Sequence, residues 1–397
     1  MHPACGARRP RITQTGSIAR ESLTVNSVVR PTPMRVLFDA FELAPGTGKS
    51  MGIYNYARCL LPALAELAGP SIEFVVACNS ACAADFRLAA RTVSTRILHR
   101  GVPGKFARQV WWRGRAALEA ARARADIYFS PKGFLPYAMG LLAPRVRTVV
   151  VVHDLIPLWY RAHHPGHFGL LEERVVARAL IDSVRGAHGL IAISQATADD
   201  IQARVGRRDG VHVVPNGVPT TAPGEPPLPG PYIMAVTSRL PHKNATGVLQ
   251  AYQRYRERTP HPLPMVLCGI DASSVAGVHC VSRLTDAQLH GCYAHASLLL
   301  FLPRIEGFGF PPVEAMGHGT AVICSDIPAL REVTRGAATL VPLDDPDRTA
   351  SAMMAVLAGN HPDAAEIKGA VADFTWQKCA AGIIDVFTRL HAGAPGC

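Results

Sequence analysis

The sequence predicts an α/β protein built from two Rossmann-like, doubly wound domains that face a central cleft. Three observations predict it. Short apolar runs alternate with helical stretches along most of the chain, the pattern of parallel sheets covered on both faces. The alternation stops once, at the Pro/Gly-rich stretch Pro219–Pro231, which no helix or central strand tolerates. At 397 residues the chain is long enough for two separate cores.

Taken in order, residues 1–33 carry arginine, serine, threonine and proline without a continuous apolar core. They read as a disordered extension rather than a secretory signal, with Met34 as a start. Strands are expected near 35–39, 72–77, 126–129, 148–152, 190–193 and 211–214, and helices near 52–68, 107–123, 168–186 and 196–205. These make a first domain over 34–218. Residues 219–231 form the linker. A second domain over 232–375 has strands expected near 232–236, 265–268, 298–301, 321–324 and 339–341. A last helix, from about Trp376 to Leu390 within 376–397, closes the chain.

Composition narrows the class. Mean hydropathy is +0.14, yet no apolar run approaches the roughly eighteen residues a membrane-spanning helix needs. The ten cysteines are scattered, with no C-x-x-C, which favours reduced thiols in a cytosolic protein over disulfides or a metal. Net charge is +11 and uneven: residues 1–218 hold 28 Lys+Arg against 15 Asp+Glu, and the remainder holds 13 against 15. Residues 87–124 carry ten Lys/Arg against the single acid Glu119, with Trp111 and Trp112 in their midst. Basic side chains beside tryptophans suit an anionic membrane surface or a polyanionic acceptor; a solvated helix face is the plainer reading. Nucleic acid is not expected, because no helix-turn-helix, zinc or aromatic RNA-binding pattern accompanies the charge.

The chemistry concentrates in Pro303-Arg304-Ile305-Glu306-Gly307-Phe308-Gly309-Phe310-Pro311-Pro312-Val313-Glu314-Ala315-Met316. An apolar strand leads into two glycines and then a Pro-Pro helix start, flanked by two carboxylates. Such a crevice can hold a phosphate and grip hydroxyls. With Gly52-Ile53-Tyr54-Asn55-Tyr56, His153-Asp154-Leu155-Ile156-Pro157, Ile193-Ser194, Pro215-Asn216-Gly217-Val218 and His242-Lys243-Asn244, this E-x7-E motif resembles retaining glycosyltransferases of the GT-B fold, family 4 type. The resemblance runs over nearly the whole chain from Met34, and it implies that the last helix crosses back to the first domain.

It also implies roles. Glu314 would take the ribose hydroxyls and Glu306 the hydroxyls of the transferred sugar. The backbone N–H groups of Phe308, Gly309 and Phe310 would approach the diphosphate. Lys243 would offset its charge. The arginine that usually stands five residues before that lysine is replaced by Ser238, leaving Arg239 one step late. His153 would lie against the sugar at the reacting centre, and Gly52 would let backbone approach donor or acceptor. The implied reaction is a metal-independent front-face substitution moving a hexose, mannose first, from a nucleotide sugar such as GDP-mannose to a glycan or lipid-linked glycan, without a cofactor. The protein would work in the cytoplasm, peripherally on the inner face of the cytoplasmic membrane. A GT-B sugar-nucleotide epimerase and a non-catalytic nucleotide-binding protein remain alternatives.

Two decoys are set aside. Gly48-Lys49-Ser50 imitates the end of a P-loop, but Leu43 stands where its first glycine belongs. Asp345-Pro346-Asp347 spells a metal-binding D-x-D, yet its place before a helical stretch suits N-capping acids better.

Overall fold

The computed structural model describes residues 32–46, 51–219, 221–282 and 284–393. The disordered-extension reading of 1–33 and the glycine loop around Lys49 fall almost wholly outside the described residues.

The first domain runs β1 (Met34–Ala40), α1 (Met51–Ala68), β2 (Ile72–Asn79), β3 (Val93–His99), α2 (Lys105–Val110), α3 (Ala116–Arg122), β4 (Ile127–Ser130), α4 (Met139–Leu142), β5 (Arg147–Val152), α5 (Ile156–His163), α6 (Leu170–Gly186), β6 (Gly189–Ala192), α7 (Gln195–Val205) and β7 (Val211–Val213). Its seven strands are parallel in the order β3-β2-β1-β4-β5-β6-β7. The order reverses between β1 and β4, so loops leave their C-terminal ends in opposite directions and open a crevice.

The second domain runs β8 (Ile233–Val236), α8 (Ala245–Arg258), β9 (Met265–Cys268), β10 (Val278–Val281), α9 (Asp286–His295), β11 (Leu298–Phe301), α10 (Phe310–His318), β12 (Val322–Ser325), α11 (Pro328–Thr334), β13 (Thr339–Val341), α12 (Pro346–Leu357) and α13 (Ala364–Val371). Its six parallel strands follow β10-β9-β8-β11-β12-β13 and reverse between β8 and β11. Residues 214–232 between the two sheets hold no helix or strand among those described.

The final helix, α14 (Trp376–His391), packs back on the first domain against α1, β5 and β6. Phe387 lies edge-on to Phe129 of β4 at 5.3 Å, and Gly189 leaves room for Leu390 and Val386.

One local expectation needs correction, and strand β3 and helix α5 lie where none is expected. The single helix expected over 107–123 is broken into α2 and α3 by a wide turn at Trp111–Arg115, where Gly114 is a poor helix former. Buried Trp111 anchors that turn by stacking on Phe41 at 4.3 Å. Strand β3 lies inside the arginine-rich run. It is an edge strand with exposed side chains, and edges commonly carry charge, so its apolar signal is weak. The helix α5 begins at Ile156-Pro157, where proline suits a first turn.

Candidate active site

The C-terminal ends of both sheets face a cleft of about 610 Å³, and most of the motif residues meet there. Gly52, His153 and Asp154 line it from the first domain; Lys243, Glu306, Gly307, Phe308, Gly309 and Phe310 line it from the second.

The floor is the turn between β11 and α10. Gly309 has φ +96°, and a Cβ there would sit 2.5 Å from Leu330, so only glycine fits. Phe308 is buried and holds the turn down against Phe374, with ring centres 5.2 Å apart. Pro311 and Pro312 then start α10 and leave its N-terminus on the cleft side. Such a helix end favours anions.

Glu306 is ion-paired with Lys243, their side chains 13% and 29% exposed. Lys243 is set by a short helical turn at Pro241–Lys243, and Thr237 donates to its carbonyl at 2.8 Å. Arg239 is exposed and lies outside the residues lining the cleft, so the structure does not bring it together with Lys243 and Glu306 there. Lys243 is thus the motif cation at the site.

His153 closes β5. Its Nε2 lies 2.7 Å from the carbonyl of Pro131. A carbonyl only accepts, so Nε2 carries the proton and Nδ1 is left with a lone pair. Burial pushes its pKa down to about 4, so the ring is neutral near pH 7. The neighbouring Asp154 accepts from the Ile156 N–H at 2.9 Å, which starts α5. Burial, with Glu306 nearby, pushes its carboxyl up to about 6.

Glu314 stands apart from the others. It lines a second cavity of about 600 Å³ between α1, α10, α13 and Trp376. The Tyr293 hydroxyl reaches its carboxylate, and burial raises its pKa to about 7. The two glutamates of E-x7-E therefore line different cavities, Glu306 ahead of α10 and Glu314 within it.

Several contributors escape motif reading. Ser194 donates to the carbonyl of Gly307 at 2.6 Å, and Thr197 to the same oxygen at 3.3 Å. Tyr160 meets His242 Nδ1 at 2.9 Å. Glu332 of α11 accepts from the N–H groups of Gln195 and Ala196, at 2.7 and 2.9 Å, capping α7 across the two domains. Gly307 is packed so tightly that a Cβ would lie 1.6 Å from the His153 carbonyl oxygen. These contacts hold the domains closed over the cleft. Ile193-Ser194 was visible as a motif; Glu332, 137 residues from its partner, carries no local signal.

The D-x-D acids are engaged elsewhere. Asp345 caps α12 by accepting from the Arg348 N–H at 2.9 Å, and Asp347 pairs with Arg258.

Residues 52–222 match the profile of Glycosyltransferase Family 4, and residues 222–371 that of Glycosyl transferases group 1. The chain belongs to the family 4 glycosyltransferases of the GT-B fold. This glycosyltransferase is 23% identical to O-antigen chain mannosyltransferase B of Escherichia coli over 294 residues, covering 66% of this chain and 74% of that one. It is 27% identical to O-antigen chain mannosyltransferase RfbU of Salmonella typhimurium, covering 49% of this chain and 57% of the relative. Its fold superposes on Alr3699/HepE from Anabaena, solved with UDP and glucose, with a TM-score of 0.62 at 17% identity, covering 89% of this chain and 99% of that one. No helix among the described residues is long and apolar enough to cross a membrane.

Proposed function

We propose that this glycosyltransferase moves a hexose, mannose as the first candidate, from a nucleoside-diphosphate sugar to a glycan or lipid-linked glycan with retention at the anomeric carbon. The observation that carries the proposal is the meeting of Lys243, Glu306 and the α10 N-terminus with a neutral His153 in one cleft. The donor lies along the first turn of α10. Its diphosphate takes the N–H groups of Phe308, Gly309 and Phe310 and the ammonium of Lys243. Its nucleoside runs toward Glu314 and the second cavity.

The sugar lies between Glu306 and His153. The His153 Nδ1 lone pair accepts from a sugar hydroxyl and orients the ring. The bond from the anomeric carbon to the phosphate oxygen breaks while the acceptor oxygen bonds the same face. The leaving diphosphate takes the acceptor proton, and its growing charge is offset by Lys243 and the helix end in place of a metal. Closure around Gly307 keeps water from competing.

Mannosyl donors, with GDP-mannose first, are favoured by the mannosyltransferase relatives. A nucleoside diphosphate as leaving group is supported by the UDP held in the Anabaena structure. The acceptor end of the reading puts the protein in the cytoplasm, on the inner face of the cytoplasmic membrane. The test is thermal unfolding with GDP-mannose and other nucleotide sugars, beside Glu314→Ala. A ligand at a hundredfold excess over its Kd adds about 2.7 kcal/mol. One donor stabilising the wild type and not the variant supports the reading; no shift with any donor sinks it.

A further inference from the structure

The rim of the cleft on the first-domain side carries two exposed apolar ridges. One is formed by α2 and α4. Phe106 and Leu141 are 83% and 81% exposed, with Val110 and Leu142 beside them. Leu142 packs next to Gly114, and the Tyr137 N–H donates to the Trp112 carbonyl at 2.9 Å, so α4 lies against the α2–α3 turn. The other ridge is the start of α6, where Leu171 is 76% exposed and Leu170 and Val175 more than half.

Phe134 connects both ridges to the site. It lines the cleft together with Glu172, Val176 and Leu180 of α6, and its ring centre lies 5.1 Å from that of Trp112. The apolar ridges therefore flank the mouth through which an acceptor reaches His153. Around the first ridge, Arg100, Lys105, Arg108 and Arg113 are exposed and make no ion pair among the described residues, whereas Arg96 and Arg122 are held by Glu119.

We infer that these two ridges and the cations around the first dock this protein on an anionic lipid bilayer, with the first-domain side of the cleft mouth against the lipid. The inference rests on the lipid-linked acceptor reading and names the surface that presents it. Apolar tips enter the headgroup layer while arginines pair with lipid phosphates. A second copy of the chain fits less well, because a two-fold contact would set the same cations against themselves. Docked in this way, the protein meets an acceptor whose lipid stays in the bilayer while its sugar enters beside Phe134.

Vesicle sedimentation of the full chain tests this. Wild type is expected to pellet with phosphatidylcholine vesicles containing phosphatidylglycerol, not with phosphatidylcholine alone, and less as salt rises. Phe106→Ser with Leu141→Ser should cut partitioning at least ~tenfold. Met354→Ser, at an exposed apolar position on α12, should leave it unchanged. Equal pelleting by the double variant, no pelleting by wild type, or a wild-type dimer that the double variant dissociates would overturn the inference. Nucleotide-sugar thermal shifts need no lipid and are read on the same samples. A shift that persists while vesicle binding fails removes the docking surface and leaves the transferase reading standing.

Discussion

Glu306→Gln gives the sharpest test of the site. The Glu306 carboxylate holds Lys243, the cation that the proposed donor placement assigns to the diphosphate. On that placement a donor takes Lys243 from Glu306, and the freed carboxylate turns to sugar hydroxyls. Two unit charges about 4 Å apart at an effective dielectric of ~20 attract by ~4 kcal/mol. With Lys243 29% and Glu306 13% exposed, solvent screening and desolvation leave on the order of 1–2 kcal/mol of that as a net cost of the exchange. Neutralising Glu306 removes the competitor, so a nucleoside diphosphate without sugar should bind the variant about tenfold more tightly, ~1.4 kcal/mol. Sugar transfer should fall at the same time, because the neutral amide grips hydroxyls less strongly than a carboxylate. Lys243→Met should weaken the same ligand by ~1.5–3 kcal/mol. Titration calorimetry with GDP and UDP reads both variants. If Glu306→Gln loses diphosphate affinity in parallel with Lys243→Met, the exchange is wrong and the pair is a structural bridge.

Two further outcomes follow from the geometry. Gly307→Ala places a methyl 1.6 Å from the His153 carbonyl oxygen; the domains must part by roughly 2 Å, costing transfer at least ~100-fold while calorimetry still shows nucleotide binding to the second domain. On the proposed donor placement ribose hydroxyls donate best to an ionised Glu314, so nucleotide affinity should fall as pH drops below about 7, and Glu314→Gln should flatten that profile. The sign for stability is opposite: a folded-state pKa raised above the unfolded value favours the fold at low pH, and that contribution is lost as pH rises through about 7. Glu314→Gln should therefore gain stability over wild type above that pH, as read by urea unfolding on either side of it.

What could be read from the chain and what could not divides along one physical line. Central strands such as Val149–Val152 and Leu298–Phe301 are buried on both faces, so continuous apolar runs announce them. Of the four edge strands, β3 and β10 need only part of that burial, arginine and histidine fit there and their pattern dissolves, whereas the edges β7 and β13 keep short apolar runs. The broken helix at Trp111–Arg115 has a related cause. Periodicity reports which face is apolar, but Gly114 and the stacking of Trp111 on Phe41 decide where the axis turns.

The site follows the same division. Lys243, Glu306 and Gly309 each sit in a turn a few residues long that a motif can show, and the pairing of β8 with β11 brings the two turns together across 63 residues. Glu314 is only eight residues from Glu306, yet its side is chosen by Tyr293 and α1, which meet it through tertiary packing. Glu332 is further still from anything a motif can hold. Its value lies in two N–H groups of the other domain. Closure is thus written in pairs of residues distant along the chain, Ser194 with Gly307, Tyr160 with His242 and Glu332 with α7. A substitution at Glu332 should accordingly disturb how the domains meet while sparing each domain's own ligand contacts, and one at Lys243 the reverse.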